Sequence, residues 1–422
     1  MKEVWTRAPW KSRAAKALAL DLVIAWRNVS RHARRSLFAG AAVTFGVIAI
    51  ILAAGFIEWI YWAMREGTIR SGLGHLQVMP SGAKARGMSD PYAFVLPEAM
   101  PERGVVESAP HVVSVAPRLK FTGLVGLGDA SLSFLAQGID PDKDVSGQHA
   151  IIIEQGADLS AADPGGVLLG QGLARNLGAK VGDRVVLLVT KRGGALDGVE
   201  ASVRGVFSSQ TKAYDDVAIH VPYRLASETL AAGGAHAWVV YLDDTGRTAR
   251  VAEELRRKLG AKLDVVAWFD ATDFYHKTVE LFSRQVLVMK LIIALVVVLS
   301  ISNTMMMGVM ERTDEIATTL ALGVRRNRVL SRFLLEGVVI GLLGGALGIA
   351  LGWVLAALIS KIGIPMPPPP GMGRGFVGEI MMTADLARDA IVLAFCTALI
   401  ASCYPAWRAS RMVIAEALRH GR

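Results

Sequence analysis

The sequence predicts an α-helical membrane protein with four transmembrane helices and a mixed α/β domain inserted between helices 1 and 2, and three observations carry that prediction. Four apolar runs, within residues 37–68, 278–310, 329–360 and 386–404, are each long enough to cross a hydrocarbon core of about 30 Å at about 1.5 Å per residue. Residues 69–277 hold no such run and instead alternate short β-rich stretches with short helical ones, enough chain for one or two globular units. The positive charge is also uneven. Residues 1–36, 311–332 and 405–422 hold 18 of the 46 lysines and arginines but only 6 of the 37 acidic residues, a net +12 against −3 for the remainder.

By the positive-inside rule the three basic segments face the cytosol and the 69–277 domain lies across the membrane from them. The same asymmetry argues against a nucleic-acid partner, which needs a basic face on one unit. The overall balance agrees: 52% hydrophobic residues and a mean hydropathy of +0.40 are too apolar for an ordinary soluble protein, while 20% charged residues are too many for a wholly embedded one. Both cysteines, Cys396 and Cys403, fall in the last apolar run, so the 69–277 domain can hold no internal disulfide.

Taken in order, residues 1–36 read as an interfacial amphipathic lead. Lys11, Arg13, Lys16, Arg27, Arg31, Arg34 and Arg35 accompany Leu18, Leu22, Trp26 and Val29 at helical spacing. The first span, Leu37 to Met64, is too long for a signal-peptide core and reads as an uncleaved anchor, with Trp59, Tyr61 and Trp62 at its outer interface. In 69–277, strands are expected near Leu76–Met79, Val112–Pro117, Thr122–Val125, Leu132–Ala136, Val167–Leu169, Val185–Thr190, Val199–Phe207, Val217–Val221 and Val239–Leu242, and helices near Gly172–Leu177, Pro222–Ala231 and Thr248–Leu259. Gly193, Gly194 and Gly198 between two of these strands predict a hairpin.

A polar and apolar lead, Phe274 to Gln285, reads as a stalk into the second span. There Lys290 snorkels outward, and the amide of Asn303 wants another helix or water. The third span carries Gly337, Gly341, Gly344, Gly345, Gly348 and Gly352, small-xxx-small repeats that allow close helix approach, within this chain or to a second one. Residues 361–385 form an outer loop stiffened by Pro367 to Pro370. Thr383 and Leu386 open the last helix, which is expected to end at Pro405, and 405–422 is a basic tail.

The charged segment 311–328 between the second and third spans is the most informative. Glu311, Arg312 and Glu315 cluster at its start, Ile316, Leu320 and Val324 share one helical face, and Gly323 reads as a helix stop. Glu311-Arg312-Thr313, Glu315-Ile316 and Ala321-Leu322-Gly323 resemble the inner-loop signature of the FtsX-like, or MacB/LolC/LolE-type, ABC transporter permeases. Asp314, Ala317, Thr319 and Leu320 stand where that family commonly has Arg, Gly, Leu and Arg. The lead Ala25-Trp26-Arg27-Asn28, the tail with Pro405-Ala406, Arg408, Arg411 and Glu416-Ala417-Leu418-Arg419 (Ile414 replacing a usual Pro), and the α/β run 69–277 are similar to other parts of the same family.

The resemblance implies a permease subunit in the bacterial inner (cytoplasmic) membrane with its large domain in the periplasm. It assigns Glu311, Arg312, Thr313, Glu315, Ile316, Leu320, Ala321, Leu322 and Gly323 to a coupling helix that contacts an ABC ATPase subunit, with Ile316 and Leu320 as apolar anchors. It implies pairing with a second permease subunit, identical or related, contact with membrane lipid, and a periplasmic carrier or adaptor. The implied function is release of lipoprotein or another amphiphile, the alternatives being macrolide or peptide efflux and force transmission to a periplasmic cell-wall hydrolase.

Chemistry of the chain's own is not expected. No Gly-x-x-x-x-Gly-Lys-Ser/Thr loop is present, so ATP and magnesium belong to the partner. Asp140-Pro141-Asp142-Lys143-Asp144 starts like a calcium loop but has Val145 for the sixth-position glycine and Ile151 for the twelfth-position glutamate, and reads as a solvated turn. The histidines form no metal-ligating motif, and Tyr214-Asp215-Asp216 reads as a loop entering a strand. No catalytic, cofactor or metal residue is assigned.

Overall fold

The computed structural model describes residues 21, 23–31, 33–86, 91–144, 151–209, 211–271, 273–368 and 375–413. Lys11 to Leu18, Leu22, Pro369 to Pro370 and the tail from Ile414, all named above, lie outside these residues. The chain divides into a helical unit, residues 1–61, 279–364 and 377–422, and a sheet unit, residues 62–278 and 365–376.

Among the described residues four helices are long and apolar enough to cross a membrane: the first helix Ala33–Thr68, the second Asp273–Glu311, the third Arg326–Ile362 and the fourth Ala384–Ser410. The strands of the large sheet all fall, in sequence, between the first helix and the second. The lead to the second span and the span itself form one uninterrupted helix of 39 residues, beside which Tyr61 of the first helix donates to the Val279 carbonyl at 3.1 Å. Thr383 caps the fourth helix by accepting from the Leu386 N–H. That helix does not stop at Pro405 as expected but runs to Ser410. The helical continuation buries Ala406 and Ala409 completely, and Pro405 costs one backbone bond that a packed membrane helix tolerates.

The third helix is the hub. A Cβ on Gly337 would lie 1.6 Å from Ser402 Oγ, one on Gly341 2.4 Å from Ala398 Cβ, and one on Gly345 3.1 Å from Ala394 Cβ, all on the fourth helix. A Cβ on Gly344 would lie 2.8 Å from the Gly40 carbonyl oxygen, one on Gly348 2.7 Å from Val47 Cβ, and one on Gly352 3.0 Å from Ile51 Cδ1, all on the first helix. The two four-residue glycine repeats therefore face two different neighbours, and the Thr44 hydroxyl donates to the Gly344 carbonyl at 3.0 Å across one of the seams. Both repeats are used inside the chain.

The sheet unit holds a ten-stranded sheet: β1 Leu76–Pro80, β2 Val112–Leu127, β3 Ala130–Ile139, β4 Ile152–Gly156, β5 Gly166–Gly170, β6 Arg184–Thr190, β7 Leu196–Ser208, β8 Ala218–Pro222, β9 Ala237–Leu242 and β10 Leu263–Ala267. Their order is β10-β1-β9-β2-β3-β8-β5-β7-β4, with β6 pairing β2 and β7, and the ladders are antiparallel except β3–β8 and β5–β7. The two segments expected at Val112–Pro117 and Thr122–Val125 are one strand, β2. The residues between them, Arg118 to Phe121, continue the ladder to β3 and so keep their backbone groups paired.

Burial follows pattern. β6 alternates, with Val185, Leu187 and Val189 inward, while β5 and β8 are buried along their whole length. The β6–β7 hairpin turns at Gly193 and Gly194, φ 108° and 90°, the left-handed region its sequence predicted. Helix Thr248–Leu259 presents Val251, Ala252, Leu255 and Leu259 to a core that includes Leu76, Trp238 and Val265.

Gly341→Val should destabilise the helical unit by about 1–3 kcal/mol, since its side chain enters the fourth helix. Gly40→Ala, where an added Cβ meets nothing within 4 Å, should be neutral. The loss of monodisperse protein on heating in detergent checks both.

Candidate functional site at the Glu311 turn

The second helix ends at Glu311 because the Arg312 backbone leaves helical geometry, φ −102° and ψ 18°. A nine-residue inner helix, Thr313–Ala321, begins at once, with Asp314 and Glu315 in its first turn, where the helix dipole favours acids. The hydroxyls of Thr318 and Thr319 fold back onto the carbonyls of Asp314 and Glu315, each at 2.7 Å. At the far end the Val324 N–H donates to the Thr319 carbonyl and the Gly323 N–H to the Leu320 carbonyl, with Gly323 at φ 89°. This is a Schellman closure, so Gly323 stops the helix as expected. Arg325 is extended and the third helix follows, leaving Arg325, Arg326 and Arg328 exposed.

The apolar face expected from the spacing exists but points inward. Ile316, Ala317 and Leu320 are buried, Ile316 and Leu320 packing in one cluster with Met305, Val309, Val329 and Phe333. The expectation that Ile316 and Leu320 anchor a partner is therefore corrected. A two-turn helix set against the ends of longer helices gains most by covering their apolar ends with its own stripe. What the turn offers to solvent is Glu311, Asp314, Glu315, Thr318, Ala321, Leu322 and Gly323, with Leu322 81% exposed.

Arg312 is likewise not on the surface. Its side chain is 11% exposed and lies 3.6 Å from the Glu336 carboxylate of the third helix, itself 13% exposed and hydrogen-bonded by Asn28. Glu311 pairs with Arg35 of the first helix, and Arg332 reaches Asp21 at 3.1 Å. Thr313 is partly buried, its hydroxyl donating to the Met310 carbonyl at 2.7 Å. Sequence reasoning passed over Glu336 and gave Asn28 only as part of the family-like lead. The available signal was Glu336 itself, a lone acid near the start of an otherwise apolar run, which calls for a cation. Asn303, expected to meet another helix or water, is exposed on the helical unit.

The sheet unit holds a separate polar cluster. Arg118 of β2, 3% exposed, pairs with Asp144, which also accepts from the Tyr241 hydroxyl at 2.8 Å. The Gln137 amide donates to the Tyr214 hydroxyl oxygen at 2.8 Å, and Tyr214 lies 2.9 Å from His220 Nε2. Arg118, Gln137, Asp144, Tyr214 and His220, with Trp62 and Arg70, line a cleft of about 840 Å³. Asp144 is thus no solvated turn residue and Tyr214 no simple loop residue: segments distant in the chain supply one ion pair and hydrogen-bond chain. Burial pushes the Tyr214 hydroxyl far up, and burial, aided by the Arg118 charge, holds His220 down to about 3. Both groups are therefore neutral at pH 7, and their hydrogen bonds tie Gln137 of β3 through Tyr214 to His220 of β8.

Residues 36–258 match the family described as MacB-like periplasmic core domain, and residues 287–414 match FtsX-like permease C-terminal. The lipoprotein-releasing system transmembrane protein LolE of Haemophilus influenzae is 23% identical over 342 residues, 74% of this chain and 79% of that protein. The macrolide export ATP-binding/permease protein MacB of Escherichia coli is 21% identical over 363 residues, 81% of this chain and 53% of that protein. MacB of Syntrophobacter fumaroxidans is 31% identical over 164 residues, 36% of this chain and 20% of that protein. The chain thus spans between a fifth and about half the length of these MacB relatives. The solved periplasmic region of MacB from Actinobacillus actinomycetemcomitans aligns at 17% identity and a TM-score of 0.36, over 50% of this chain and 95% of that one.

Because the fold holds His220 neutral, acid favours the unfolded chain. The His220 contribution to stability should be full above about pH 6.5 and fall by about 1.4 kcal/mol for each pH unit below it, down to about pH 3. Denaturant unfolding of the full chain at pH 7 and pH 5 reads this slope, and His220→Asn, which takes up no proton, should flatten it.

Proposed function

We propose, for a chain that belongs to the family of the MacB-like periplasmic core domain and matches the FtsX-like permease C-terminal over residues 287–414, that the Glu311 turn receives the stroke of a separate ABC ATPase subunit and passes it to the domain outside the membrane. In this reading the chain is a multi-pass subunit of the bacterial inner membrane, and ATP and magnesium are handled by the partner. The observation that carries it is Leu322. An 81% exposed leucine at the tip of a rigidly closed turn, flanked by exposed Arg325, Arg326 and Arg328, is built to enter an apolar pocket with an acidic rim. Burying that side chain contributes about 1.5–3 kcal/mol. Glu315, Ala321 and Gly323 lie beside it on the exposed side, whereas Ile316, Leu320 and Arg312 shape the turn from within.

The substrate we propose is a lipoprotein or another amphiphile. The likeness to LolE extends over 79% of that protein, and its name states lipoprotein release. Export of a macrolide or peptide is the second reading, favoured by the 81% of this chain that aligns with Escherichia coli MacB. A second permease subunit is part of either reading. The second helix turns Leu291, Leu295 and Leu299 outward, and Asn303 continues that face. In hydrocarbon an amide without a partner is unfavourable, and a facing helix supplies one.

Leu322→Glu should weaken binding of the full chain to its ABC ATPase at least tenfold, about 1.4 kcal/mol, without lowering the chain's own melting temperature. Ile316→Asp should lower that melting temperature itself, because it breaks the chain's core. An unchanged dissociation constant for Leu322→Glu would remove the docking role. On a Cys396→Ser, Cys403→Ser background, Asn303→Cys in native membranes should form an oxidative cross-link to a second permease subunit. Monomer alone after oxidation would mean that this face meets lipid.

A further inference from the structure

The second helix and the inner helix are joined by a single non-helical residue, Arg312. Were that link the only connection, a push on the inner helix would bend the chain at residue 312 and be lost there. The two residues at the bend are instead tied to two other helices. Glu311 pairs with Arg35 of the first, and Arg312 with Glu336 of the third. Asn28 holds Glu336 from the N-terminal segment, and Arg332, one turn before Glu336, is tied to Asp21 of the same segment. The Arg312–Glu336 pair is nearly closed off from solvent, so salt screens it little and its attraction is stronger than that of a surface pair. The apolar half of the same attachment is Ile316 and Leu320, clustered with Val329 and Phe333 at the start of the third helix.

We propose that the Arg312–Glu336 ion pair is the joint that locks the inner helix to the third long helix, so that displacement of the inner helix moves the third helix and, through its glycine seams, the first and fourth. Both are positioning residues: neither contacts the ATPase. That displacement begins at the ATPase rests on the function proposed above, but the rigidity of the joint does not. Removing one partner leaves a buried charge uncompensated, whereas exchanging the two residues keeps the pair.

The test uses the full chain in lipid nanodiscs on the Cys396→Ser, Cys403→Ser background, with spin labels at Thr318→Cys on the exposed side of the inner helix and Leu343→Cys on the third helix. The parent should give one narrow distance. Glu336→Gln and Arg312→Gln should each lose it in favour of a broad or split distribution, Arg312→Lys should fall between, and the exchange Arg312→Glu with Glu336→Arg should restore the narrow distance. If Glu336→Gln lowers the melting temperature but keeps the narrow distance, the pair merely stabilises the fold and the joint is refuted. A broad distribution that the exchange leaves broad refutes it as well. Because the measurement needs no ATPase, a failed Leu322→Glu experiment would remove the docking role and leave this result standing.

Discussion

How closely two backbones can approach in the absence of side chains is the constraint on which the helical unit depends. Helices in lipid gain nothing from the hydrophobic effect against each other, so contact must come from dispersion, small residues and a few hydrogen bonds. The third helix meets that requirement on two sides at once, through Gly337, Gly341 and Gly345 toward the fourth helix and Gly344, Gly348 and Gly352 toward the first. With its two seams fixed, the start of this helix becomes a stable platform, and the inner helix covers that platform with Ile316 and Leu320.

The consequence for the Glu311 turn is a division of labour by exposure. Two of the charges that the spacing alone would assign to a partner, Glu311 and Arg312, are spent on holding helix ends together, while Glu315 stays exposed. The partner-facing part shrinks to the closing turn and the arginines after it. A leucine left in water is costly unless something covers it, and a turn closed by paired backbone bonds holds it in place for that purpose. Rigid mounting of a small contact area also lowers the ordering cost of association.

Much of this was legible from residues. The four apolar runs, the β-alternation of Val185 to Thr190, the glycine pair of the hairpin and the stop at Gly323 are local signals, and each element stands where its signal lies. What the sequence did not reveal depends on pairs distant in the chain. Asp144 looks like a turn residue until Arg118 is seen beside it, and Glu336 looks misplaced until Arg312 closes on it. Short elements such as Leu263–Ala267 and Pro101–Glu107 also escaped, the strand because five residues of mixed polarity carry little periodicity, the helix because seven residues make barely two turns. The direction of an amphipathic face is a further limit: periodicity identified Ile316 and Leu320 as a stripe but could not say whether the stripe turns toward the chain or away from it.

The glycine seams also set a timetable for biosynthesis. One seam joins Thr44 to Gly344, 300 residues apart in sequence, and the other waits for the fourth helix. While the third helix leaves the ribosome, its first partner has long been made and its second does not yet exist. A nascent chain arrested between them presents lipid with a bare glycine groove. Completion of the fourth helix, with Ala394, Ala398 and Ser402, is then the event that covers that groove.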